Sequence, residues 1–156
     1  MREILFRGQT RRKGQKVRMD GTPVDSNWVE GYGVCMGTGD FSVIYAGHPV
    51  EKFTVYTDTV GQFTGLTDKN GKRIFKGDII TYPNSSCFGV VCFGDYDHFD
   101  SHHTGFFVKW FENGKHKGFR RDIRFWIMNQ KAWVVGNIHD NQELLVGTAC
   151  DSEPNT

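Results

Sequence analysis

Glycine interrupts this chain 19 times in 156 residues, and the stretches between are short and aromatic, nearly free of Leu-Ala runs. That punctuation constrains the fold more than any other feature. Glycine takes the positive φ that tight turns need, while Phe, Tyr, Trp and Val suit a pleated, half-buried surface. Aromatic residues reach 14%, with 13 Phe. The expected fold is therefore mainly β, with little helix. At 38% hydrophobic and 24% charged, the composition is that of an ordinary soluble domain, long enough to bury a core.

The pattern along the chain supplies the strands. Residues 2–7 start with charged and apolar alternation. Asn27–Met36 reads as one long strand with Trp28, Tyr32, Val34 and Met36 on one face, and Gly37–Asp40 turns it into Phe41–Tyr45, where Phe41, Val43 and Tyr45 share a face. Asn70-Gly71 is the strongest short turn signal, because both residues accept positive φ. Lys76-Gly77-Asp78 turns the chain into Ile79–Tyr82, and Phe88–Phe93, apolar on both faces, is expected to be a central strand. A polar loop over 94–104 leads to the aromatic strand 105–111, Asn113-Gly114 turns again, and 131–138 is the last strand. Asp140 is placed to cap a helical turn ending near Leu145.

Three of these stretches together are familiar. Arg2–Gly8 with Trp28–Gly31, then Val60–Gly71 continued by Ile74–Ile79, then Val135–Leu145, resemble the opening, hallmark and closing motifs of the YopX-like family of phage and prophage proteins. The segments 9–27 and 83–130 depart from that pattern. The resemblance implies a small, mainly β protein encoded by a phage or prophage. It carries no established activity or active site, so no functional residue is transferred.

Charge excludes whole-molecule steering toward nucleic acid or a membrane: 19 basic side chains face 18 acidic ones, a net +1. Locally the balance differs. Residues 1–20 hold Arg2, Arg7, Arg11, Arg12, Lys13, Lys16 and Arg18 against Glu3 and Asp20, and residues 109–131 hold Lys109, Lys115, Lys117, Arg120, Arg121, Arg124 and Lys131 against Glu112 and Asp122. Each segment is a local +5. With Trp110, Phe111, Phe119, Phe125 and Trp126 between the cations, they form a candidate nucleic-acid-binding set: Arg11, Arg12, Lys13, Lys16, Arg18, Lys115, Lys117, Arg120, Arg121 and Arg124. The competing explanation is a β core that takes half of those aromatics and hairpin tips kept soluble by the charges.

Cys87, Cys92, His98, His102 and His103 are the best metal candidates, but their C-x4-C-x5-H-x3-H-H spacing lacks the tight knuckle of closed zinc sites. No metal is expected. Asp95, Asp97 and Asp100 beside those histidines suggest, as an alternative, a metal-dependent hydrolase centre in the 95–103 loop. No P-loop, dinucleotide fingerprint or nucleophile motif appears, and no cofactor is expected. Four cysteines are too few for a disulfide-built scaffold, which points to free thiols in a reducing cytosol. The N-terminus lacks a signal-peptide cleavage pattern, and no run approaches the roughly 18 apolar residues of a spanning helix.

The resulting expectation is a small SH3-like, partly open barrel over 59–147, with an N-terminal β-hairpin layer over 1–58 and a frayed tail over 148–156. A meander is the default strand order. The protein is expected to be a cytoplasmic phage or prophage accessory protein. It would act by binding rather than catalysis, as a homo-oligomer meeting through residues 27–45, with no membrane partner.

Overall fold

The computed structural model describes residues 3–10, 27–111, 116 and 118–145. The expectations for 11–26, the Asn113-Gly114 turn and the tail lie outside the described residues. The described residues are mostly β, 54% strand and 11% helical, with a curled half-barrel sheet and little helix. It divides into two compact units, residues 1–65 and 66–156.

In the first unit β1 (Phe6–Gln9) lies between β2 (Trp28–Gly31) and β6 (Gly61–Thr67), antiparallel to both. A second sheet has the order β3 (Gly33–Cys35), β4 (Phe41–Ala46), β5 (Glu51–Tyr56). The single strand expected over 27–36 is thus two strands in different sheets. They part at Tyr32, whose amide donates to the Tyr45 carbonyl at 3.1 Å. The buried parity also differs from what the largest side chains suggest. Val29, Ile44, Ala46, Phe53 and Val55 form the core, while Tyr32, Met36 and Phe41 stay exposed. Phe41, Val43 and Tyr45 do share a face, and it is the outer one. Volume does not choose the core face. The strand's pairing register does, because a shift of one residue exchanges the two faces.

In the second unit β7 (Arg73–Phe75) precedes a five-stranded antiparallel sheet. It runs β11 (Arg120–Asp122), β10 (Ser101–Trp110), β9 (Gly89–His98), β8 (Asp78–Thr81), β12 (Trp133–Asn137). Strands β8 to β11 form the expected meander, and β12 returns to close on β8. As its apolar composition suggests, β9 is interior to the sheet. Ile74, Ile80, Val91, Val108, Trp110, Ile123, Trp126 and Val134 make the core.

The sequence reading also has no helix α1, Ile123–Met128. Ile123, Trp126 and Ile127 fall at i, i+3 and i+4 and are buried, and Asp122 caps the helix by accepting from the Phe125 amide at 3.0 Å. Six residues of β-prone composition hide such a helix from any periodicity argument. The cysteine expectation also needs correcting. Cys35 and Cys92 are free, but Cys87 is disulfide-bonded.

Candidate functional site

The segment expected as a polar loop over 94–104 is instead the outer part of a long hairpin. Strands β9 and β10 pair continuously from Gly89↔Trp110 to His98↔Ser101, leaving only Phe99 and Asp100 as the turn. Alternation along the strands continues through a stretch whose polarity looks loop-like, and each residue finds a cross-strand partner. Gly94 and Gly105 sit opposite one another at φ +151 and +155. L side chains rarely adopt that backbone, so the pair marks where the buried base of the hairpin gives way to an exposed arm.

Strand alternation sorts the arm's chemistry onto two faces. One face carries Asp95 opposite Thr104 and Asp97 opposite His102. The Thr104 hydroxyl donates to Asp95 at 2.6 Å, and His102 Nδ1 lies 2.8 Å from the Asp97 carboxylate. That contact, reinforced by the charges of Asp97 and Asp95, raises the His102 pKa above its ordinary value. The other face carries Tyr96 opposite His103, and His98. The histidines and carboxylates considered for a metal-dependent hydrolase are therefore divided between opposite sides of a two-stranded ribbon. Among the described residues, no group of three or more His, Cys, Asp or Glu is placed to hold a metal ion.

The face bearing Tyr96 continues toward the base of the hairpin as the outer surface of β9, β10 and β11. His103, Tyr96 and Phe107 form a continuous stack, with ring centres 5.3 Å and 4.9 Å apart. Beyond Phe107, Lys109 pairs directly with Arg120 across β10 and β11. Cys92, half-buried, is the cross-strand partner of Phe107. Burial pushes its thiol pKa up, opposed by the charges of Lys109, Arg120 and Lys76. At the tip Phe99 is 83% exposed, at φ +52, with its ring 4.4 Å from His98 and 6.4 Å from Phe119. The two-residue turn requires the positive φ, and it is occupied here by a bulky residue rather than by Gly, Asn or Asp.

The sequence-derived basic set is only partly gathered here. Arg11, Arg12, Lys13, Lys16, Arg18, Lys115 and Lys117 lie outside the described residues. Arg120 lies on the outer face. Arg121 faces the opposite way, its guanidinium 3.5 Å from the centre of the Phe125 ring, and Arg124 is exposed on α1. Trp110 and Trp126, considered as stacking platforms, are core residues at 1% and 2% exposure. The rings that are available, His103, Tyr96 and Phe107, were missed. The signal for them was the alternation of 95–104, which a polar composition concealed.

The family motifs serve the fold. Buried Asp68 accepts from the amides of Asn70 and Lys72, both at 2.9 Å, and from Val134 at 3.0 Å. Gly71 supplies the positive φ of the turn alone; Asn70 does not share it. Asn137 accepts from the amides of His139 and Asp140, at 3.0 and 2.9 Å. A family model described as YopX protein matches residues 37–146, which takes in the central and closing motifs and leaves 2–31 outside it. No curated protein sequence matches the chain.

Proposed function

The chain belongs to the YopX family, and from that premise we propose that it is a phage- or prophage-encoded accessory protein that acts by binding rather than by catalysis. The observation that carries this reading is where the chemistry lies. Hallmark residues such as Asp68 are consumed in turns and strand ties, whereas the reactive side chains of the 95–104 arm are divided between two faces. Convergence on one pocket is what a hydrolytic centre needs. A surface of partly exposed rings beside cations is instead suited to contact, and the outer face of β9–β11 is the proposed contact surface.

The test is a search for turnover. Wild-type protein and an Asp97→Asn/His102→Ala variant are incubated with single- and double-stranded nucleic acid and nucleoside triphosphates, each with Mg²⁺, Mn²⁺ or Zn²⁺. Neither should turn over substrate. Metal-dependent hydrolysis by the wild type that the variant lacks would replace this reading with the hydrolase.

We propose a cytoplasmic location in a bacterial host, as the resemblance to phage and prophage proteins implies. Among the described residues no helix is long and apolar enough to cross a membrane. The disulfide at Cys87 weighs the other way, because such bonds are rare in reducing compartments. Trapping thiols in intact host cells before electrophoresis decides between them: a fully reduced Cys87 supports the cytoplasm, an oxidised one an export route.

A further inference from the structure

Accepting that the outer face of β9–β11 is the contact surface, we infer that its ligand is single-stranded nucleic acid, with phosphates held by Lys109 and Arg120 and a base stacked on the His103 end of the His103–Tyr96–Phe107 ring series.

Charge and rings are segregated in the way this ligand requires. The carboxylates of Asp95 and Asp97, which would repel phosphates, lie on the opposite face and are engaged by Thr104 and His102. On the ligand side Lys109 and Arg120 are neighbouring cross-strand partners. Asp122, two residues beyond Arg120 on β11, accepts from the Phe125 amide at 3.0 Å as the cap of α1, although its charge, second to burial, also contributes to raising the Tyr96 pKa.

The rings favour an unpaired strand over a duplex. Tyr96 and Phe107 already stack on one another, which leaves exposed His103 as the open end where one further flat ring can be added. Bases inside a duplex are stacked on their neighbours and cannot do this without leaving the helix, whereas bases of a single strand can. Phe99, exposed at the tip beside His98, offers a second ring on the path. Lys109 lies six positions beyond His103 along β10. At strand rise this is about 20 Å, room for a few nucleotides, comparable with the shorter sites of single-strand-binding barrels. Stacking of this kind tolerates any base, so little sequence preference is expected.

The experiment measures fluorescence anisotropy of labelled oligothymidylate, oligouridylate and a duplex of equal length over a range of salt. It uses the full chain and two variants, Lys109→Ala/Arg120→Ala and His103→Ala, each checked for an unchanged circular dichroism spectrum. The single strands should bind more tightly than the duplex. The double variant should lower the log–log salt slope by about 1.4, since each single-strand phosphate contact contributes about 0.7. His103→Ala should leave that slope alone and weaken binding roughly tenfold, as loss of one stacked base does. Failure to bind oligonucleotide, a preference for duplex, or a slope indifferent to the double variant each overturns the inference. None of those results touches the proposal that the protein binds rather than catalyses, which only the turnover assay can overturn. Should binding vanish in an Arg11→Ala/Arg12→Ala/Lys13→Ala variant and survive in both others, the ligand class stands and this face loses it.

Discussion

The carboxylate of Asp68 accepts a hydrogen bond at 3.0 Å from the backbone amide of Val134, a residue 66 positions later in the chain. Its other oxygen accepts from Asn70 and Lys72, so one buried side chain both closes the 68–72 turn and ties it to β12. The central family motif is tied at this atom pair to the residue just before the closing motif, which gives Asp68 a structural reason to exist.

Replacing Asp68 by Ala removes the acceptor of three amide donors at once, and the one on Val134 is buried. Hydrogen bonds to a charged group contribute about 1.5–3 kcal/mol each, and unsatisfied buried donors add their desolvation cost. The variant is expected to lose roughly 3 kcal/mol or more of unfolding free energy in urea. A loss below about 1 kcal/mol would show that water or a neighbour replaces the carboxylate easily.

Two family glycines should respond differently to a side chain. At Gly71, φ is +78 and a Cβ would meet nothing within 4 Å, so Gly71→Val costs only backbone strain, on the order of 1–3 kcal/mol. Gly136→Ala places a methyl group onto the Asn141 side chain, the acceptor for the Asn137 amide, and must displace that side chain from its hydrogen bond. Denaturation midpoints test the Gly71 figure. Exchange of the Asn137 amide should quicken in the Gly136 variant and not in the other; equal protection in both would remove the distinction.

The exposed pair on the arm makes a pH prediction. Asp97 raises the pKa of His102 above the ordinary value of 6.5, chiefly through their hydrogen bond. Because the folded pKa is raised, the contribution of this pair is fully present below the unfolded value and is lost as pH rises through the folded one. Titration of the imidazole by NMR should give a midpoint above 6.5, which Asp97→Asn should return toward it. An identical midpoint in the variant would mean that the pair does not form in solution.

Thiol reactivity should follow position. Cys35 is exposed, while burial raises the pKa of Cys92 and keeps it protonated at neutral pH. Brief treatment with iodoacetamide followed by peptide mass mapping should find Cys35 modified well before Cys92. The reverse order would place Cys92 in the open.

Self-association is expected through exposed apolar side chains of the first unit. Tyr32, Met36 and Phe41 are exposed there, and the near-neutral net charge gives little repulsion between copies. Light scattering at micromolar concentration should report a mass above 17.8 kDa, and Met36→Lys/Phe41→Lys should reduce it to that value. A wild-type monomer throughout that range sinks the proposal.

The sequence by itself determined the β class, most of the turns and the family, because each is written in local chemistry. Gly71 and Gly77 take their positive φ within a few residues of where they are read. An idiosyncratic run such as 60–79 is visible without knowing what it touches. What only the tertiary structure decided is every feature that depends on a distant partner. Asn27–Met36 alternates as one strand, yet β2 pairs with β1 and β3 with β4, so the chain changes sheets at Tyr32. Residues 95–104 look like a loop in isolation and become an arm because each half supplies the other's hydrogen bonds. The proposed ligand face joins Tyr96, Phe107, Lys109 and Arg120 from three strands, and no spacing along the chain encodes that meeting. Pairing register selects which side of a strand faces water, and register is a property of two segments together, set by the whole core rather than by either one.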